Sequence, residues 1–174
     1  MTPEQATFLL NEIYLPQIRN EHKTTRRVIE AVPADKCAYR PDPKCMSAWE
    51  LASHIVGSEC FFIRGVANGA FNVADGKVPE SVTTPADLLN WYDENFGNAV
   101  EALAKATGED LVKSIDFRGV FNFPGIVYAS LMNSHSIHHR GQLSAYLRPM
   151  GAKVPRIYGG SGDDPFELPA RAQA

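Results

Sequence analysis

The run Ser134-His135-Ser136-Ile137-His138-His139-Arg140-Gly141-Gln142-Leu143 packs three of the chain's five histidines into five residues. On a helix, at ~100° and ~1.5 Å per residue, His135 and His139 stand ~40° apart around the axis and ~6 Å apart along it. Both imidazoles can then reach one point in space. Neutral imidazole is the commonest protein ligand for Zn²⁺ and also suits Ni²⁺. Spacing alone leaves His135 with His138 as a second pair, at ~60°. Either pair is half of a metal site, and the remaining ligand must come from another helix packed against this one.

Length and charge limit what such a site belongs to. A chain of 174 residues, 44% hydrophobic and 21% charged, reads as one ordinary domain over residues 1–174 with a sizeable core. A net charge of -3 argues against a nucleic-acid binder, and the adjacent pair Arg26-Arg27 reads as a solvated helix face. The opening residues lack the basic-then-apolar layout of a secretory signal. No apolar run reaches the ~18 residues needed to span a bilayer. Cys37, Cys45 and Cys60 are odd in number and lack Cys-x-x-Cys spacing, so they read as reduced thiols in a cytoplasmic protein.

Helix signals dominate the chain. Thr2, Pro3 and Glu4 form an N-cap, a proline at the first helical position and an acidic first turn. The amphipathic stretch that follows runs to about Val32, with Phe8, Leu9, Ile13, Leu15, Ile18, Val28 and Ile29 as core candidates. Pro16 is expected to kink or break it. Residues 33–45 carry Pro33, Pro41 and Pro43 and read as a loop. Ser47-Ala48-Trp49-Glu50 is a capping-box pattern that predicts a second helix to Asn68. Thr84-Pro85-Ala86-Asp87 starts a third, with Gly108 as its stop. Residues 113–123 alternate loosely and read as a hairpin-like excursion or a plain loop. Pro124 opens a fourth helix to about Arg148, and the tail from Pro155 is expected to be irregular. The pattern predicts an all-α fold, a four-helix bundle with an irregular C-terminal tail.

The histidine run falls on the fourth helix, where Tyr128, Leu131, Gln142 and Tyr146 share the His135 face; for the tyrosines and Gln142 packing and surface roles are expected ahead of lining a pocket. His22, among Arg19, Asn20, Glu21 and Lys23, reads as solvent-exposed. His54 lies on a largely apolar face of the second helix and reads as buried. A lone buried histidine is more often a hydrogen-bonded core residue than a ligand, but a second half-site on a bundle makes His54 a candidate third ligand.

The segment Ser47-Ala48-Trp49-Glu50-Leu51-Ala52-Ser53-His54, followed some eighty residues later by His135-Ser136-Ile137-His138-His139-Arg140-Gly141-Gln142-Leu143, resembles the DinB-like (DinB/YfiT) superfamily. The resemblance covers most of the chain. It implies an antiparallel four-helix bundle holding a divalent metal, nickel or zinc, on three histidines: His54, His135 and His139. It also implies His139 rather than His138 as the second ligand of the helix, and a homodimer. Family members of known activity include transferases and isomerases that use low-molecular-weight thiols. The position after the first motif histidine is often acidic in the family and is Ser136 here.

That serine also excludes a zincin peptidase, which needs Glu in His-Glu-x-x-His as general base. Three neutral histidines leave a coordination position open, the arrangement of a catalytic metal. The open position reads as that of a metal-dependent enzyme acting on a small molecule, and the resemblance implies a thiol-dependent transferase or isomerase, with a hydrolase as the other reaction class. Glu50, one turn before His54, is the candidate catalytic residue; its alternative role is to close the capping box with Ser47. The competing readings are a non-catalytic, stress-related metal-binding protein and a metal-free helical binding domain.

Overall fold

The computed structural model describes residues 1–166. Thr2 accepts from the Gln5 backbone N–H while the Gln5 side chain accepts from the Thr2 N–H, a reciprocal cap that opens α1 (Pro3–Phe8). A π-helical stretch, Leu9–Tyr14, joins it to α2 (Leu15–Glu30). Pro16 does not break this rod. A proline ring crowds the carbonyl four residues back and removes a donor. The turn ahead of it widens instead, so that Leu15 N–H donates to Leu10 O.

The wide turn lengthens one interval between core positions, and Ala6, Leu10, Leu15 and Ile18 are the buried apolar residues. Phe8 and Ile13, expected in the core from an unbroken helical period, point outward, 60% and 47% exposed.

Ser47 and Glu50 close the expected capping box: Glu50 N–H donates to Ser47 Oγ (3.2 Å), and Ser47 N–H donates to Glu50 Oε2 (2.7 Å). This starts α3 (Ala48–Asn68). Thr84 caps α4 (Pro85–Leu103) by accepting from Asp87 N–H at 3.1 Å. Helix α4 ends before Gly108, which is not its stop but the first residue of a short α5 (Gly108–Val112). The glycine is needed there for close approach: a Cβ would lie 2.2 Å from Pro3 O on α1.

Two short strands follow, β1 (Ser114–Phe117) and β2 (Phe121–Pro124), antiparallel with Phe117 opposite Phe121. The fold is mostly helical, as expected, and carries a small two-stranded sheet in the stretch read as a hairpin-like excursion or a loop. Tyr128, at the start of α6 (Gly125–Leu147), pins this hairpin. Its hydroxyl donates to Ile115 O (2.8 Å) and accepts from Phe123 N–H (3.2 Å). Residues 155–166 contain no helix or strand, as expected, and residues 167–174 of the expected tail lie outside the described part.

Helix α3 packs against α4 and α6, and α2 packs against the same two. The core side of α6 is Met132, Ser136, Arg140, Leu143 and Leu147, all buried. The stripe expected to face inward is rotated away from it: Leu131 and Gln142 are exposed, while Tyr128 is buried and, with Leu131, borders a recess beside His135.

Arg140, 1% exposed, pairs with Glu21 at 2.5 Å and donates to Glu21 O (3.3 Å) and Thr25 Oγ1 (3.2 Å). Tyr158, from the irregular segment, donates its hydroxyl to Glu21 Oε2 (2.9 Å). A second buried acid, Glu59 of α3, receives hydrogen bonds from Tyr92 of α4 and Thr25 of α2. Burial pushes the Glu59 carboxyl up, opposed by these bonds and by the Arg140 charge.

Removing one partner of a buried pair leaves the other desolvated and unpaired. Arg140→Met is expected to cost about 3 kcal/mol in urea unfolding. The double variant Glu21→Leu/Arg140→Met is expected to recover a large part of that loss.

Candidate metal centre

Helix α3 contributes His54 and α6 contributes His135 and His139, all at the half-buried edge of the α3–α6 contact. One ring nitrogen from each lies within 4.8 Å of the others. His54 Nε2 and His135 Nε2 are 3.2 Å apart. Two imidazoles on a tetrahedral ion with ~2.0–2.1 Å bonds place their nitrogens ~3.3 Å apart, so the donor set fits a divalent metal. The three rings are mutually edge-on, with centroids 4.4–5.0 Å apart.

Outer contacts orient two of the rings. His139 Nδ1 donates to Gln142 Oε1 at 2.8 Å, which selects the tautomer whose Nε2 lone pair is free for a metal. His54 Nδ1 faces Ser58 Oγ at 3.5 Å, a weaker version of the same device. His135 Nδ1 is buried without a hydrogen-bond partner among the described residues, so Nε2 is its engaged nitrogen.

Charge is disfavoured at this cluster. Burial, reinforced by His139, His54 and His138, pushes the His135 imidazole down to about 4. Burial, with His139 adding to it, lowers His54 as well. Both are therefore neutral at pH 7, the state in which imidazole binds metal.

The other expectations separate. His54 is half-buried rather than buried. His138 is exposed and meets the group only through the edge of His139, at 4.9 Å. His22 is not solvent-exposed: it stacks on Phe96 at 4.1 Å and lies 3.2 Å from Asp93, outside the triad. Burial lowers its imidazole, with Asp93 opposing. The charged neighbours in sequence sit on other faces of α2, and the helix turns His22 toward α4.

Glu50 joins the cap and also pairs with Arg40 at 2.9 Å, contacts that hold its carboxyl below the usual range. It lines a hollow of 410 Å³ together with His54, Arg40 and Cys45. Ser136 is buried on the core side of α6, where its hydroxyl donates to Met132 Sδ at 3.8 Å, away from the metal-facing nitrogens.

Two further openings reach the histidines. A cleft of 380 Å³ is walled by His54, Ser58, Phe61, Lys77 and Arg118. A narrower apolar recess of 160 Å³ lies between His135, Phe62, Phe117 and Tyr128. Lys77 and Arg118 were invisible to sequence reasoning, since loop residues carry no periodicity. The pair Arg118-Gly119 between two β-prone runs was the available turn signal.

The chain matches the DinB family over residues 6–166. It is 31% identical over 134 residues to the uncharacterized protein YjoA of Bacillus subtilis, covering 76% of this chain and 85% of that protein. The crystal structure of that DinB-like protein superposes with a TM-score of 0.70 at 28% identity, covering 83% of this chain and 96% of the other. A DinB-like protein from Bacillus cereus shares the fold, with a TM-score of 0.70 at 24% identity over 85% and 97% of the two chains. Among the described residues, no helix is long and apolar enough to cross a membrane.

Two outcomes follow from this geometry. Protein purified without chelator is expected to carry near-stoichiometric metal by mass spectrometry. His135→Ala should lose it, and Gln142→Ala should bind it about 10-fold more weakly. In chelated protein, the unfolded chain takes up a proton at His135 near pH 6.5 that the folded state refuses until about pH 4. The melting temperature should therefore fall as pH drops through that window, and His135→Gln should flatten the slope.

Proposed function

We propose that this chain, which belongs to the DinB family, is a metal-dependent enzyme on a four-helix bundle, acting on a small molecule with a low-molecular-weight thiol as substrate or co-substrate. The pairwise packing of α2, α3, α4 and α6 supports the bundle reading. The observation that carries the function is the convergence of His54, His135 and His139 within 4.8 Å at the mouth of open clefts. A divalent ion, nickel or zinc, held by these three nitrogens supplies a Lewis-acidic position that favours the deprotonated form of a thiol.

The residues of the chain do the rest. Gln142 and Ser58 hold His139 and His54 in orientation. Phe62, Phe117 and Tyr128 exclude water on the His135 side. Glu50 is the proposed proton acceptor: Arg40 and the Ser47 N–H keep it ionised, and it shares a hollow with His54.

Cobalt-substituted protein tests the open position. A sulfur-to-cobalt charge-transfer band that appears on adding cysteine supports the enzyme reading. An inert, saturated cobalt spectrum assigns the protein to non-catalytic metal binding. Glu50→Gln separates the two roles of that residue. It is expected to leave helix content and metal stoichiometry unchanged while slowing conjugation of the thiol to a chromogenic electrophile about 10²-fold or more. Loss of stability with unchanged rate would make Glu50 a helix cap alone.

A further inference from the structure

The cleft on the His54 side is cationic in a protein whose net charge is -3. Lys77 and Arg118 wall it, and among the described residues no Asp or Glu lines it. Both side chains are exposed, and among the described residues neither is paired with a carboxylate. The remaining wall offers the Ser58 hydroxyl and the apolar faces of Phe61 and Val73.

Both cations are placed by structure that costs something to build. Lys77 follows the one-turn helix Val73–Gly76, which lies directly on α3. A Cβ on Gly57 would sit 2.4 Å from Gly76 O, and one on Gly76 would sit 2.4 Å from Gly57 O, so the two backbones touch because both residues are glycine. Arg64 ties down the same turn, donating to Asp75 O at 2.7 Å and to Asn95 Oδ1 at 2.8 Å.

Arg118 occupies the hairpin turn with φ +54°, followed by Gly119 at +74°, and Val120 N–H donates to Phe117 O at 3.0 Å. Asn, Asp or Gly normally fills the first of two consecutive positive-φ positions; a long side chain there carries strain. Its neighbour Phe117 stacks on Phe62 of α3 with planes 5° apart, which fixes the hairpin against the site.

We propose that this cleft is the substrate-binding site, and that Lys77 and Arg118 bind the oxyanion group of a small organic anion, a carboxylate or phosphate, whose apolar body lies on Phe61 beside His54. The proposal rests on the histidine triad being the reacting centre. The two side chains are positioning and specificity residues. Arg offers a planar fork suited to an oxyanion and Lys a mobile point charge.

The test uses two probes of nearly equal shape, 3-phenylpropanoate and its neutral amide, titrated calorimetrically into metal-loaded protein at low salt. The wild-type protein is expected to bind the anion at least 10-fold more tightly than the amide, with the difference shrinking at high salt. Lys77→Gln/Arg118→Asn should bring the two probes within twofold of each other. Asparagine suits the positive φ, so the hairpin is retained, and an unchanged melting temperature checks this. Gly57→Ala, which keeps both charges but forces the Lys77 turn off α3, should also erode the preference.

Equal binding of the two probes by the wild type, no binding of either, or a preference that survives the double variant would overturn the proposal. Metal content is measured on each sample. A metal-free wild type sinks the enzyme reading, while the anion preference of Lys77 and Arg118 is still read from the same titration.

Discussion

The buried Arg140–Glu21 pair is the constraint around which the rest is arranged. A guanidinium 1% exposed loses several kcal/mol of hydration, and it is tolerable only with a carboxylate and further acceptors at hydrogen-bond distance. Glu21, its own backbone carbonyl and Thr25 supply them, all from α2. Arg140 immediately follows His139. Satisfying the one fixes the rotation of α6, and that rotation decides where the imidazoles of His135 and His139 point.

Glu59 plays the matching part on α3. It lies five residues after His54 and is held by Tyr92 of α4 and Thr25 of α2. Both helices that carry the three histidines are thereby fixed in rotation by polar contacts, which are directional, rather than by apolar packing alone. The histidines sit at the rim of this polar core, where burial keeps His135 and His54 neutral while the cleft beside them stays open. A site preorganised in this way would lose little entropy on taking up a metal.

Labour is divided between helices and connections. The long helices hold the three nitrogens, whereas the Val73–Gly76 turn and the hairpin tip bring Lys77 and Arg118 to the same cleft. Turns are free to carry unpaired charge and strained backbone because the scaffold beneath them is rigid. Here the rigidity is visible in the Gly57–Gly76 backbone contact and in the stack of Phe117 on Phe62.

Helix starts at Thr2, Ser47 and Thr84 were legible because a cap is a contact over three residues. The His135–His139 spacing was legible for the same local reason. The wide turn before Pro16 was not, since whether a proline breaks or widens a helix depends on what the flanking turns pack against. The inward face of α6 was hidden because Asn133, Ser136 and Arg140 are buried polar residues that erase its apolar period. Local patterning was enough to mark the long helices and to put two imidazoles on one side of the last of them. Long-range packing alone brings His54 to them, across 81 residues of chain, and Arg140 to Glu21 across 119. Local propensity acts over a helical turn, and partners this far apart are selected by packing and by the demand that buried charge be paired.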